Sequence, residues 1–307
     1  YEIASCLVGS EMCIRDRLTM TVVPILGAGS SMADYRIGFK WWALIIAVVF
    51  VISELVCVAC VPERPVACDE KPGKISDMFK ALFKNDQAMT VVVSIILVYT
   101  SLNICGNLVL YFFRFDVGNE GAYSLFAAVA FAAQVLVMMV IPLLRKRFSK
   151  SQLFISGFII QIAGFAVILI MAFAKLYTPQ SWYILCLPGI LIYLGYGMLN
   201  VIMTIFLSDS VDYGEVMNGT REESVIFSMQ TFTVKLASGV AVFLAGLVVD
   251  WIHLDTAAAV QTQDTLDALR MWMTIPSVIL LIVGIFVFKR FYKLDDTRME
   301  EIKSKLN

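Results

Sequence analysis

Seven stretches of about twenty or more residues, each almost wholly apolar and parted from the next by a more polar connection, constrain this chain more than any other feature of it. They run over 41–61, 88–113, 120–144, 152–176, 181–207, 224–249 and 270–288. A helix needs about 20 apolar residues to cross a hydrocarbon core about 30 Å thick. In lipid no water satisfies the backbone, so such segments must be helical to bond their own N–H and C=O groups. The composition agrees: 59% of the 307 residues are apolar and only 16% charged, with mean hydropathy +0.80. A soluble domain sits near 45–50% apolar and about 25% charged. The sequence therefore predicts an all-α membrane protein, a polytopic helical bundle. An eighth window, 18–32, is short and broken by Pro24, Gly27 and Gly29. It reads as the end of a truncated helix.

Lys and Arg set the orientation. The loops 62–87, 145–151 and 208–223 with the tail 289–307 carry 16 of them, and the alternate set carries 4. The positive-inside rule places the first set, and the C-terminus, in the cytoplasm. Trp41, Trp42, Trp182, Tyr183, Trp251 and Trp272 then fall near the outer ends of spans, where interfacial aromatics belong. Residues 62–87, with Pro62, Pro65 and Pro72, form the longest polar stretch between spans and predict a linker between two bundles. Residues 1–17 have neither a signal-peptide pattern nor an apolar face. They resemble translated sequencing-adapter sequence, so we expect them to be non-native.

Two charges lie deep inside predicted spans, Glu54 and Lys235. Glu54 lies nearer a span end. Lys235 is 11 residues into its span, which at about 1.5 Å per residue is near mid-membrane. Intramembrane charges are costly and usually face a bundle interior or a wet cavity. Ser224, Ser228, Thr231, Lys235, Ser238/Gly239 and Gly246 share one helical face, which predicts that this face turns inward. Tyr99, Asn103, Asn107 and Tyr111 recur every four residues and share another. Two amides and two phenols suit a neutral, hydroxyl-rich ligand; hydrogen bonding between helices would use the same groups. Tyr193, Tyr196, Asn200 and Thr204 form a similar set.

Other chemistries find no support. One His and seven Cys without framework spacing leave little for metals, triads or disulfides. No phosphate-binding Gly loop, nucleophile elbow or zinc spacing occurs. A net charge of -1 provides no field for nucleic acid. No enzyme and no cofactor are expected.

The segment LSDSVDYGEVMNGTREESVIFSMQTFTVKLASG (207–239) resembles the signature of the glycoside–pentoside–hexuronide:cation symporters, the melibiose-permease family of the major facilitator superfamily. FKALFKNDQ (79–87) and FKRFYKLDD (288–296) resemble it too. The resemblance implies a twelve-helix fold in two halves. This chain would hold the end of the N-terminal bundle (18–61: partial helix 5 and helix 6), the central cytoplasmic loop 62–87, the six-helix C-terminal bundle 88–288 (helices 7–12) and the cytoplasmic tail 289–307. It would be N-terminally truncated, and the missing half would supply acidic cation ligands and many sugar contacts.

On that resemblance the function is secondary transport, a sugar or glycoside moving with Na⁺ or H⁺ as co-substrate by alternating access. Lys235 would border the sugar and cation sites, with Tyr99, Asn103, Asn107, Tyr111, Asn200, Gln230 and Thr231 around the cavity. Asp209, Asp212, Tyr213, Glu215, Arg221, Glu222 and Glu223 would form a cytoplasmic gate. A lipid or lysolipid symporter of the same superfamily remains an alternative. A seven-helix retinal-type protein fits less well, because its Schiff-base lysine would sit in the last span and Lys235 is in the penultimate one.

Overall fold

The computed structural model describes residues 32–60, 83–218, 223–256, 258 and 260–306. The expectations for 1–17, for the helix end at 18–32, for most of the 62–87 linker and for Arg221 and Glu222 lie outside the described residues. The chain divides into two units, 1–73 and 74–307.

The first unit contributes one described helix, α1 (Met32–Cys60), longer at its start than the apolar window 41–61. Trp41, Leu44, Val48, Phe50 and Leu55 are all exposed along it. The side chain of Glu54 is outside the described residues.

The second unit contains α2 (Asp86–Tyr111), α3 (Ala122–Leu144), α4 (Lys150–Phe173), α5 (Cys186–Asn218), α6 (Glu223–Trp251), α7 (Gln263–Phe291) and a short α8 (Asp296–Leu306). No strand occurs among the described residues. The first six of these are long and apolar enough to span a membrane, and each coincides with one of the last six windows. Two boundaries need correction. The stretch 208–218, read as a loop, is the last three turns of α5. Its charges misled because they sit on a helix that outruns the apolar segment. The tail 289–307 is also mostly helical: α7 runs to Phe291 and α8 follows.

Between apolar helices in lipid, association rests on close packing and interhelical hydrogen bonds. Both are present. At Gly195 of α5 an added Cβ would lie 2.6 Å from the Gln161 N and the Gly157 O of α4, so only glycine allows that backbone approach. Ser101 Oγ donates to the Ser277 carbonyl at 3.1 Å and Ser277 Oγ to the Ser101 carbonyl at 2.8 Å, a reciprocal pair joining α2 to α7. Phe154, Phe206, Phe288 and Tyr292 stack through the core toward the end of the bundle that bears α8, with neighbouring centroids 4.4–5.2 Å apart.

At that end, the tripeptide before and in the first turn of α2 ties three elements together. Asn85 caps α2 by accepting from Ala88 N at 2.9 Å and donates to the Ser210 carbonyl of α5 at 2.8 Å. Gln87 accepts from Lys293 N at 2.8 Å, holding the α7–α8 link. At the opposite end α2 continues as a π-helical turn, Phe112–Asp116. Trp251 and Trp272 meet there with centroids 5.2 Å apart.

Candidate functional site

A polar seam crosses the apolar walls of α2, α5 and α6. On α2, Asn103 Nδ2 donates to the Tyr99 carbonyl and Asn107 Nδ2 to the Asn103 carbonyl, each at 2.7 Å. These bonds spend one N–H of each amide and leave the amide oxygens outward. Asn103 Oδ1 then accepts from Ser238 Oγ of α6 at 3.5 Å. From α5, Asn200 Nδ2 donates to Tyr99 Oη at 2.7 Å and lies 3.4 Å from Tyr196 Oη. The two phenol rings meet edge to face, 5.6 Å apart. Thr204 Oγ1 donates to the Asn200 carbonyl at 3.2 Å and accepts from Gln230 Nε2 of α6 at 3.5 Å.

Polar groups buried among apolar helices are costly unless bonded. Here each is bonded, but the links to α6 sit at the outer limit of a hydrogen bond. A ligand hydroxyl could replace them at little cost. Tyr99, Asn103, Asn200 and Gln230, expected at the site from sequence, are thus joined in one chain of contacts. Asn107 extends it by one turn. Tyr111 lies further along α2, and its hydroxyl has no partner among the described residues.

Lys235 sits differently from expectation. Thr233 and Ala237, two residues to either side, are buried in the α6–α2 contact, with Ala241 and Ala245 continuing the seam. At about 100° per residue Lys235 points away from that seam. Lys235 is exposed, as are Thr231 and Gly239. Its amine has no ion pair or hydrogen bond among the described residues. The inward face of α6 is therefore its alanine stripe; Ser224, Ser228, Thr231, Lys235 and Gly239 lie on the outer side, and Ser238 sits at the edge between them, where it reaches Asn103 of α2. Small size rather than polarity decided the packing: an ammonium has no room where helices touch.

The expected gate residues separate into groups. Asp209 is buried and forms a short ion pair with Lys150 at the start of α4. Lys150 also reaches Asp296 of α8 at 3.5 Å, and Arg145 reaches the same carboxylate at 3.6 Å. Lys150 therefore ties α4 to Asp209 of α5 and to Asp296 of α8. Asp212, Tyr213 and Glu215 lie on the last turns of α5, and Glu223 opens α6. Tyr213 packs beside Leu294 of the α7–α8 link and Met299 and Ile302 of α8. Tyr292, just past α7, holds its phenol proton more tightly than usual, because it is buried and faces Asp209 and Asp296.

A second ionic centre was missed altogether. At the opposite end Asp116 receives Arg270 Nε at 2.8 Å and Nη2 at 2.6 Å, with both side chains 3% exposed. Tyr177 Oη donates to Asp116 at 2.6 Å, and Arg270 Nη1 to Asp267 at 2.6 Å. Asp116 lies just past the window 88–113 and Arg270 opens the window 270–288, on the same predicted side, but 154 residues part them and nothing local in the sequence pairs them. Among the described residues no group of three metal-ligating side chains converges.

With that geometry in view, comparison with known proteins gives the class. Residues 16–296 match the family described as MFS/sugar transport protein, and the chain belongs to that family. It is therefore a multi-pass membrane protein of a transporter family, not an enzyme. It is similar to the uncharacterized symporter YjmB of Bacillus subtilis, at 24% identity over 94% of this chain and 62% of that protein. It is also similar to the raffinose carrier protein of Pediococcus pentosaceus (23%; 94% of this chain, 45% of the carrier) and the isoprimeverose transporter of Lactiplantibacillus pentosus (25%; 91% and 56%). The chain thus spans about half to three-fifths of the length of these relatives.

Proposed function

We propose that this chain provides the Lys235-bearing bundle of a carrier that takes a sugar or glycoside across the bacterial inner membrane together with Na⁺ or H⁺. The observation that carries the reading is the seam of phenols, amides and hydroxyls on α2, α5 and α6 beside an ammonium, on the outer face of α6, that has no partner among the described residues. Phenols and amides both donate and accept, as a hydroxyl-rich ligand requires. The names of the raffinose carrier and the isoprimeverose transporter point to the same ligand class.

The mechanism follows from where charge is exposed. Lys235 faces away from its own bundle, so its counter-charge would come from carboxylates on a second bundle. Its ammonium would lower the cost of ionising them, and cation binding would relieve that pairing. Rocking one bundle against the other about the mid-membrane site would alternate access. At the α8 end, placed in the cytoplasm by the Lys/Arg bias, the Asp209–Lys150–Asp296 cluster would make α4, α5 and α8 move as one body. The acidic run Asp212, Glu215, Glu223 would ride on it as a gate. In the full-length carrier, Lys235→Ala should abolish concentrative uptake of labelled sugar while membrane insertion stays intact. Unimpaired accumulation by a properly inserted Lys235→Ala carrier would refute the role given to this lysine.

A further inference from the structure

We propose that the cavity between the α3–α4 turn and α8 binds the phosphate of an anionic phospholipid. The cavity is about 460 Å³, and its rim carries Arg145, Lys146, Arg147 and Lys150 against Asp296 and Glu300. Arg145 and Lys150 are already spoken for by Asp296 and Asp209. Lys146, Arg147 and Glu300 have no side-chain partner among the described residues. Two unpaired cations against one carboxylate leave a net positive pocket, suited to a singly charged phosphodiester. The N-terminus of α4 adds little, because a capping box between Ser149 and Gln152 already uses its first donors.

The surroundings select a lipid over free phosphate. The turn lies at the end of α3, a helix long and apolar enough to span. Leu136, Met139 and Leu143, spaced along one face of α3, are 62%, 71% and 62% exposed and lead up to the basic turn. Phe148 stands exposed among the basic residues of the turn itself. An acyl chain lying on that strip would bring its phosphate to Lys146 and Arg147. A zwitterionic head group would instead bring a choline cation against them.

The test is a titration of the purified full chain in detergent, read as thermal stabilisation, with dihexanoyl phosphatidylglycerol, dihexanoyl phosphatidylcholine and inorganic phosphate in separate arms. Phosphatidylglycerol should half-saturate at a concentration at least about tenfold below phosphatidylcholine, since a basic residue at an anionic lipid surface is worth about fivefold. Lys146→Gln/Arg147→Gln, at two unpartnered side chains, should keep its melting temperature and weaken phosphatidylglycerol about 25-fold on the same scale. Glu300→Gln should tighten it. Lys289→Gln/Arg290→Gln, at the same end of the bundle but off the cavity, should leave it unchanged. Equal response to the two lipids, a phosphate response matching phosphatidylglycerol, an unaffected Lys146/Arg147 double variant, or equal loss in the Lys289/Arg290 control would each overturn the assignment.

Discussion

Breaking the Asp116–Arg270 pair should cost the second unit more stability than any exposed charge change. The pair is bidentate, at 2.6 and 2.8 Å, and both side chains are 3% exposed. Asp116→Asn keeps the shape and removes the charge, leaving a buried guanidinium with Asp267, whose side chain is 45% exposed. Two hydrogen bonds to charged groups, at about 1.5–3 kcal/mol each, set the scale. Removing one partner of a buried pair generally costs about 3–5 kcal/mol. The residual Asp267 contact places Asp116→Asn at the lower end, about 3 kcal/mol. For a unit of this size that lowers the melting temperature by about 6–12 °C. Arg270→Gln should cost at least as much, because it strands a carboxylate whose remaining hydrogen-bond partner among the described residues is Tyr177. The double variant Asp116→Asn/Arg270→Gln leaves no buried charge and should be clearly less damaged than the sum of the two. The assay is survival of the monodisperse peak in size-exclusion chromatography after heating in detergent. A loss under about 2 °C for Asp116→Asn, or strict additivity in the double variant, would show that the pair contributes little.

Tyr177 gives a pH dependence of determined sign. Burial raises its pKa first, and the hydrogen bond and charge of Asp116 raise it further against the opposing Arg270. The folded protein keeps that proton above pH about 10, where the unfolded chain loses it, so stability should fall as pH rises, by about 1.4 kcal/mol per pH unit for this group. Tyr177→Phe should flatten that decline in alkaline melting curves, and an unchanged slope would remove Tyr177 from the account. Gly195→Ala should force α4 and α5 apart, since its Cβ would meet backbone atoms at 2.6 Å. We expect a loss of about 1–3 kcal/mol, seen as a melting temperature reduced by several degrees, whereas Gly246→Ala, with nothing within 4 Å, should be neutral.

The six long helices of the second unit were legible because lipid imposes one solution on an apolar run of that length. Their ends were less so. Hydropathy marks where apolar residues stop, and α5 continues through Ser208–Asn218 on hydrogen bonds and on contacts with α8 and Asn85 that hydropathy does not register. The polar seam was half legible. Period four revealed the α2 stripe, but its link to Asn200 spans 101 residues of sequence and has no local signal. The same distance problem hid Asp116 and Arg270, 154 residues apart.

The orientation of α6 shows where the inference turned. The helix carries two small-residue stripes on different faces, Ala237–Ala241–Ala245 and Ser224–Ser228–Gly239–Gly246, with Ser238 between them. The cost of an intramembrane charge makes the polar stripe the special one and sends it toward a bundle interior or a wet cavity. In lipid both faces are apolar enough, and the contact with α2 goes to the stripe that lets backbones approach without burying a charge. Lys235 is thereby expelled from its own bundle. An unpaired lysine at the centre of a spanning helix costs about 2.5–3.5 kcal/mol in lipid, and a stem of four methylenes reaches water only from nearer the interface. The serines and glycines flanking Lys235 would do nothing to lower that cost against acyl chains, but they would allow another helix or a water-filled cleft to come close. The expelled face therefore fits a wet or oppositely charged surface better than it fits the hydrocarbon.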